Sequence, residues 1–251
     1  MSLLHLLYND IIYRPLLNLL VFFYNVIPGH DIGVVIIILT ILIRLALAPS
    51  FHKSLKSQKA MSDLQPKLNE MREKHKDNKE AQAKAMMELY KQHNINPLSS
   101  CLPILAQLPL LIALNGVFGA ALGGHTVEGL YSFIHAPLGG ISPLFLGFVN
   151  LARAGWSGQG FYWPGIVLAV LTGVTQFWQS KLMVAKASPN QDVTARAMQM
   201  QMTYIFPLVF IYMALRFSSG LALYWTAMTF FTLAQQYYIM RKTNPELGIR
   251  N

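Results

Sequence analysis

The chain has 251 residues, of which 53% are hydrophobic and 12% charged, with a formal net charge of +9. An average soluble domain carries about a quarter charged residues, so the composition argues for a chain that meets lipid. The single cysteine, Cys101, excludes an internal disulfide, and the seven scattered histidines show no HxxxH or CxxC spacing, so neither an oxidised module, a metal site nor a cofactor is expected.

From Asp10 to Ile27, Arg14, Asn18 and Asn25 recur at helical spacing, while Leu16, Leu17, Leu20, Phe23 and Ile27 cover other faces. This suits an amphipathic helix in the outer membrane interface, within an N-terminal segment 1–29. A signal peptide would need a basic n-region and a small-residue cleavage site, and neither is present. A sixth, poorly hydrophobic span is the alternative. Pro28-Gly29 then turns the chain into the bilayer, and residues 30–251 read as one core.

Residues 32–48, 104–122, 161–180, 203–217 and 219–240 hold almost no charge, and each approaches the ~17–25 residues that cross a hydrocarbon core. Spans are therefore expected over about 32–50, 101–122, 161–181, 201–217 and 219–240, the first kinked by Pro49. Between the first two, residues 51–96 are rich in the helix formers Lys, Glu, Gln, Ala and Met. Leu55, Leu64, Leu68 and Met71 recur at helical spacings, as do Ala85, Met86 and Leu89, and Lys76-Asp77-Asn78 reads as a turn. A helical hairpin with facing apolar stripes follows. Its ten basic and six acidic residues suit anionic headgroups or ribosomal RNA as well as water. Asn94-Ile95-Asn96-Pro97 ends it.

The segment 137–151 is apolar but short, with Pro143 and several glycines, and is expected to be an interfacial or re-entrant part of an outer loop. Trp156, Phe161, Tyr162 and Trp163 follow, residues that favour the interface. Loop Ala185 to Arg196 joins the third span to the fourth, and Arg216 to Gly220 forms a tight outer turn before the fifth. Sixteen of the twenty basic residues then fall on one side, against Arg14, Arg153 and Arg216 on the other and Arg44 inside the first span. The positive-inside rule makes the basic side cytoplasmic, with the N-terminus outside and the C-terminus inside. The expected fold is all-α: a polytopic membrane protein of five transmembrane helices with an N-terminal interfacial helix and a cytoplasmic helical hairpin.

Three stretches carry a family likeness. Ile41-Leu42-Ile43-Arg44 is followed by Pro49; residues 64–114 read LQPKLNEMREKHKDNKEAQAKAMMELYKQHNINPLSSCLPILAQLPLLIAL; and Ser219-Gly220-Leu221-Ala222-Leu223-Tyr224-Trp225 precedes Gln235-Gln236. In order and spacing they resemble the YidC/Oxa/Alb family of membrane protein insertases, over nearly all of residues 31–242. Two departures, Ser99-Ser100 where the family often has Gly-Gly and Ser218 where it has Pro, touch local backbone shape only. The resemblance implies a non-enzymatic insertase of a bacterial plasma (inner) membrane, without a large extracytoplasmic domain ahead of the core. It also implies nascent membrane proteins as substrates and the ribosome, a Sec translocon and membrane lipids as partners. The tail after Met240 is short for a ribosome-docking arm, so the hairpin is the better candidate.

Arg44 is the sharpest site residue. It lies twelve residues beyond Ile32, roughly 18 Å along a helix, where an arginine costs about 2.5–3.5 kcal/mol unless it meets water or a partner. No acidic residue lies in any of the five spans. From the residues alone, snorkelling to the inner headgroups competes with a wet groove; the resemblance implies the groove, with Arg44 at the family's membrane-embedded arginine. Gln107, Gln176 and Gln179 are polar span residues that can line it. Gln179 and Trp225 match groove positions of the family. Asn115 and Thr172 are expected to make ordinary interhelical hydrogen bonds, and the methionines around 183–202 suit either an adaptable surface or lipid-facing packing.

The implied mechanism is a groove open to cytoplasm and lipid and closed outside, in which Arg44 attracts an acidic substrate tail. A solute transporter or channel is the main competing class, but it predicts inverted repeats with broken helices, and no convincing repeat is visible. An intramembrane enzyme would need a nucleophile–base pair or metal ligands, yet the spans hold no His or Asp. There is no GxxxxGK[ST] motif for a nucleotide. A structural assembly partner remains a further reading.

Overall fold

The structure, a computed structural model, describes residues 8–93, 102–123, 127–158, 160–183, 197 and 200–243. The Asn94-Ile95-Asn96-Pro97 stop, Ser99-Ser100, the expected loop 185–196 and the tail beyond Thr243 lie outside the described residues.

A π-helical turn, Asn9–Tyr13, runs into helix α1 (Arg14–Val26), with Pro15 in the first turn, where its missing N–H is harmless. Gly29 (φ 85°) and His30 (φ 49°) take the left-handed conformations that reverse the chain after Pro28. Asp31 caps α2 (Ile32–Ala46), accepting from the N–H groups of Gly33 at 2.8 Å and Val34 at 3.2 Å. The kink expected at Pro49 is instead a break. Helix α2 stops before Leu47, and α3 (Ala48–Asp63) begins at once, with Pro49 in the opening turn that tolerates it.

The hairpin consists of α4 (Gln65–Lys74) and α5 (Lys79–Gln92), which pack together. Asn78 ends the turn and caps α5 through the N–H groups of Glu80 and Ala81. Leu64 and Leu68 are buried and Met71, Ala85, Met86 and Leu89 half-buried, so these parts of the two apolar stripes leave water; the side chain of Leu55 lies outside the described residues. Gln82 Nε2 also donates to the carbonyl of Arg72 at 3.0 Å, a bond that links the two helices.

Helix α6 (Leu102–Leu122) leads to the long loop ahead of the next helix. There the apolar segment 137–151 folds not as a helix but as a two-stranded antiparallel hairpin, β1 (Leu144–Phe145) with β2 (Val149–Asn150). Leu146 and Gly147, both at positive φ, form its tip. A second hairpin pairs β3 (Trp156–Ser157) with β4 (Gly160–Phe161). Helix α7 (Trp163–Met183) follows, then a π-helical turn (Gln201–Ile205) that continues as α8 (Phe206–Arg216), and finally α9 (Ser219–Thr243).

Helix α9 packs on α2, α7 and α8, and α1 packs on α2 and α6. The core they share includes Leu17 and Leu20 of α1, Val35 and Ile36 of α2, Leu114 and Val117 of α6, and Leu221 and Trp225 of α9. Outside it, Ile112, Val167, Val174, Leu208 and Phe230 stand exposed, an apolar exterior of the kind that lipid rather than water covers. Among the described residues, no helix is both long enough and apolar enough to cross a membrane. Helix α2 has only 15 residues, and the 25-residue α9 is diluted by Thr, Tyr and Gln.

The polar stripe of α1 meets the loop that follows α6. Asn18 is 1% exposed: its amide donates to the carbonyls of Arg14 (2.7 Å) and Gly129 (3.2 Å), and its oxygen accepts from the N–H of Tyr131 at 2.7 Å. Asn25 donates to the carbonyl of His135 at 2.8 Å. The stripe ties down the outer loop, while Ile11, Leu19, Phe22 and Val26 form the exposed apolar side.

Small residues let the helices approach. A Cβ at Gly173 of α7 would run into Ile211 of α8, whereas one at Gly119 of α6 would meet nothing within 4 Å. Gly173→Ala is therefore expected to lower stability by about 1–3 kcal/mol, seen as a lower thermal midpoint, with Gly119→Ala as the control that leaves it unchanged.

Burial holds the phenol proton of Tyr90 on α5 more tightly than usual, against a weaker opposing pull from the Arg72 charge. In alkali the folded state therefore keeps a proton that the unfolded chain releases, so stability falls as the pH climbs above about 10. The thermal midpoint should drop more steeply there in the wild type than in Tyr90→Phe; parallel slopes would show that Tyr90 contributes nothing.

Candidate functional site

Arg44 sits in the last turn of α2, three residues before the break at Leu47. That break lets α3 bring Phe51 alongside, and the guanidinium carbon lies 4.7 Å from the Phe51 ring centroid. A cation over an aromatic face gains roughly 0.5–2 kcal/mol, most when desolvated. The side chain is half-buried, and among the described residues it makes no ion pair and no hydrogen bond.

Two other helices complete the surroundings. On α9, Tyr224 is buried, and its phenol is within electrostatic reach of Arg44. On α6, Gln107 donates its Nε2 hydrogen to the Tyr224 oxygen at 2.7 Å. Cation, phenol and amide thus converge from three helices in an otherwise apolar frame. Such a cluster can hold water and can meet an anion with the cation and a second polar group.

The other expected groove residues lie on α7 and α9. Trp225, one residue beyond Tyr224 and so roughly 100° round the helix, is 2% exposed. It lies edge-on to Phe210 (5.5 Å) and Phe217 (6.1 Å) in the aromatic packing between α8 and α9. Gln176 and Gln179 are half-buried on α7 and, among the described residues, make no side-chain hydrogen bond. Thr172 makes the expected interhelical bonds, to the carbonyl of Ala222 at 3.2 Å and the hydroxyl of Thr226 at 2.9 Å. Asn115 does not: it is exposed and lines an open pocket with Phe118, Gly119, Leu122, Ala152 and Ser218.

Sequence reasoning missed two participants. Tyr224 was visible as a phenol in a charge-poor segment, a group that needs a hydrogen-bond partner when buried. Phe51 had no signal, because its role depends on where α2 breaks. Farther along α9, Gln236 is buried with neither amide atom hydrogen-bonded to protein, and the same holds for the Thr203 hydroxyl. Among the described residues, no group of three or more His, Cys, Asp or Glu side chains could hold a metal ion.

An apolar-surfaced helical bundle, with an arginine that has no ion-pair partner among the described residues set near polar groups of other helices, defines the class: an all-α fold with a polar site in an apolar frame. The chain belongs to the 60Kd inner membrane protein family, whose model matches residues 22–246. It is 36% identical over 228 residues to a membrane protein insertase YidC of Geobacter sulfurreducens, covering 91% of this chain and 37% of that protein. The insertase YidC of Pelobacter propionicus is 36% identical over 236 residues, 93% of this chain and 39% of the relative. That of Nitratidesulfovibrio vulgaris is 38% identical over 229 residues, 91% and 38% respectively. The chain therefore spans less than two fifths of the length of these relatives. Their names do not favour a solute transporter.

The Gln107–Tyr224 bond is testable by a double-mutant cycle of Gln107→Leu and Tyr224→Phe, read by equilibrium unfolding in lipid–detergent mixtures. A coupling of about 0.6–2 kcal/mol is expected; strictly additive effects would show that the two side chains do not interact.

Proposed function

We propose that the chain is a membrane protein insertase, which helps hydrophobic polypeptides enter a bacterial inner membrane without enzymatic chemistry or a nucleotide. The observation that carries the proposal is Arg44: a half-buried cation in an apolar bundle, with no carboxylate paired to it among the described residues, beside the Gln107–Tyr224 pair. Membership of the 60Kd inner membrane protein family supports the same reading, as do relatives named for insertase activity.

In this proposal five segments, about 32–50, 101–122, 161–181, 201–217 and 219–240, span the bilayer with the N-terminus outside and the basic hairpin and C-terminus in the cytoplasm. The 15 residues of α2 reach about 22 Å against a hydrocarbon core of about 30 Å. Short, polar-diluted helices accommodate such a mismatch by thinning the bilayer around them. A thinned, hydrated groove lowers the barrier to a polar substrate tail. Arg44 attracts acidic groups on that tail, Gln107, Gln176 and Gln179 line the route, and Trp225 backs it from the aromatic packing between α8 and α9. An acidic charge crossing outwards gains about 2.3 kcal/mol per 100 mV of inside-negative potential. The apolar part of the substrate then passes sideways into lipid. Nascent chains are the substrates, and the hairpin, with ten basic residues from Phe51 to His93, meets the ribosome and anionic lipid; a Sec translocon is a further partner.

The test is insertion into proteoliposomes of a substrate with a short acidic N-tail. Arg44→Ala is expected to reduce insertion about tenfold, equivalent to ~1.4 kcal/mol, and Arg44→Lys to retain most of it. Wild-type insertion by the alanine variant overturns the role given to this cation.

A further inference from the structure

The outer end of the bundle carries two further cations without an ion-pair partner among the described residues. The Arg216 guanidinium lies over the Trp156 ring, 5.2 Å from its centroid, and Arg153 lies over Tyr162 at 4.6 Å. Both are held on one platform. The carbonyl of Arg153 accepts from the N–H and the hydroxyl of Ser219 at 2.8 and 2.6 Å, and Ala154 pairs with Ser218 as an antiparallel bridge. The Tyr162 ring is fixed in turn, its oxygen accepting from the N–H of Asn150 at 2.6 Å.

Neither arginine forms an ion pair among the described residues. Of the carboxylates toward this end, Asp10 pairs with Arg14 at 3.4 Å, Asp31 caps α2 and accepts from the N–H of Leu146, and the exposed Glu128 forms no ion pair with either arginine. Around the two cations stand large apolar groups that nothing in the fold covers. The hairpin tips present Leu146, Phe148 and Phe161, the last stacked on Trp156 at 6.0 Å, and Trp163 opens α7 at 73% exposure.

We propose that this face docks on anionic phospholipid headgroups of the outer leaflet, with Arg153 and Arg216 meeting phosphate and the aromatic tips entering the interface. The charge pattern favours lipid over a protein partner. Aromatic rings in a belt with arginine are what a headgroup region accommodates, and a guanidinium matches the oxygens of a phosphate. The positive-inside tendency leaves arginines scarce on an outer face, so two retained there without carboxylates call for an anion from outside the chain. The inference rests on the membrane orientation proposed above but not on insertion, so its failure and that of the Arg44 role are separable.

The test uses the full chain in phosphatidylcholine vesicles containing either brominated phosphatidylglycerol or brominated phosphatidylcholine. The Trp156 contribution to quenching is the difference between wild type and Trp156→Phe. Brominated phosphatidylglycerol is expected to quench at a mole fraction roughly thirtyfold lower than brominated phosphatidylcholine, from two basic residues at about 1 kcal/mol each. Arg153→Gln with Arg216→Gln should abolish the difference, and the double lysine variant should keep it. Equal quenching by the two lipids in the wild type, or no quenching by either, overturns the proposal. So does loss of the preference on adding inorganic phosphate where chloride of equal ionic strength leaves it, since the site would then take free phosphate.

Discussion

The charge of Arg44, set in a helix of Ile, Leu and Val with no acid to answer it, governs the local architecture. A guanidinium cannot be deprotonated to escape an apolar setting, so the structure supplies partial compensation. Helix α2 ends just beyond it, and the restart at Ala48 lays the face of Phe51 against the cation. The dipole of the Tyr224 phenol lies within reach, oriented by Gln107. None of these neutralises the charge. What is left is an attractive site for an anion, positioned by three helices that pack through α9.

The two ends of the bundle are built differently. The outer end is closed by side chains that satisfy loop backbone: Asn18, Asn25, Tyr24, Asp31 and Ser219 all bond to residues between 129 and 153. These bonds bind a loop of little regular structure, whose peptide groups would otherwise be costly to place beside apolar helices. Toward the other end, polar groups accumulate without protein partners among the described residues: Gln236, Thr203 and the half-buried glutamines of α7. The asymmetry between a hydrogen-bonded cap at one end and unpartnered polar groups at the other follows from where hydrogen-bonding side chains fall along each helix.

The helical content, the hairpin with its turn at Lys76-Asp77-Asn78, and the isolated charge of Arg44 were legible because each rests on a local signal. Periodicity, turn chemistry and an isolated charge in an apolar run need no knowledge of neighbours. The amphipathic stripe of α1 was legible as a pattern but not in its purpose. Periodicity identifies a polar face without saying whether water, lipid or a folded loop will meet it, and Asn18 met the loop. The apolar stretch 137–151 was ambiguous for a related reason: its glycines permit the positive φ angles of a hairpin tip, but only pairing of Phe145 with Val149 realises them.

Sequence by itself therefore determined the composition of the layers: apolar helices, a basic polar hairpin, aromatic residues at one edge and a single buried-depth arginine. Tertiary structure decided which neighbours answer that arginine. It brought the phenol of Tyr224 within electrostatic reach of Arg44 and packed the adjacent Trp225 against Phe210 and Phe217. The physical reason is that adjacent residues on a helix point about 100° apart, so which of the two faces the polar site depends on how α9 is rotated against α2, α7 and α8, a quantity set by the packing of all of them together.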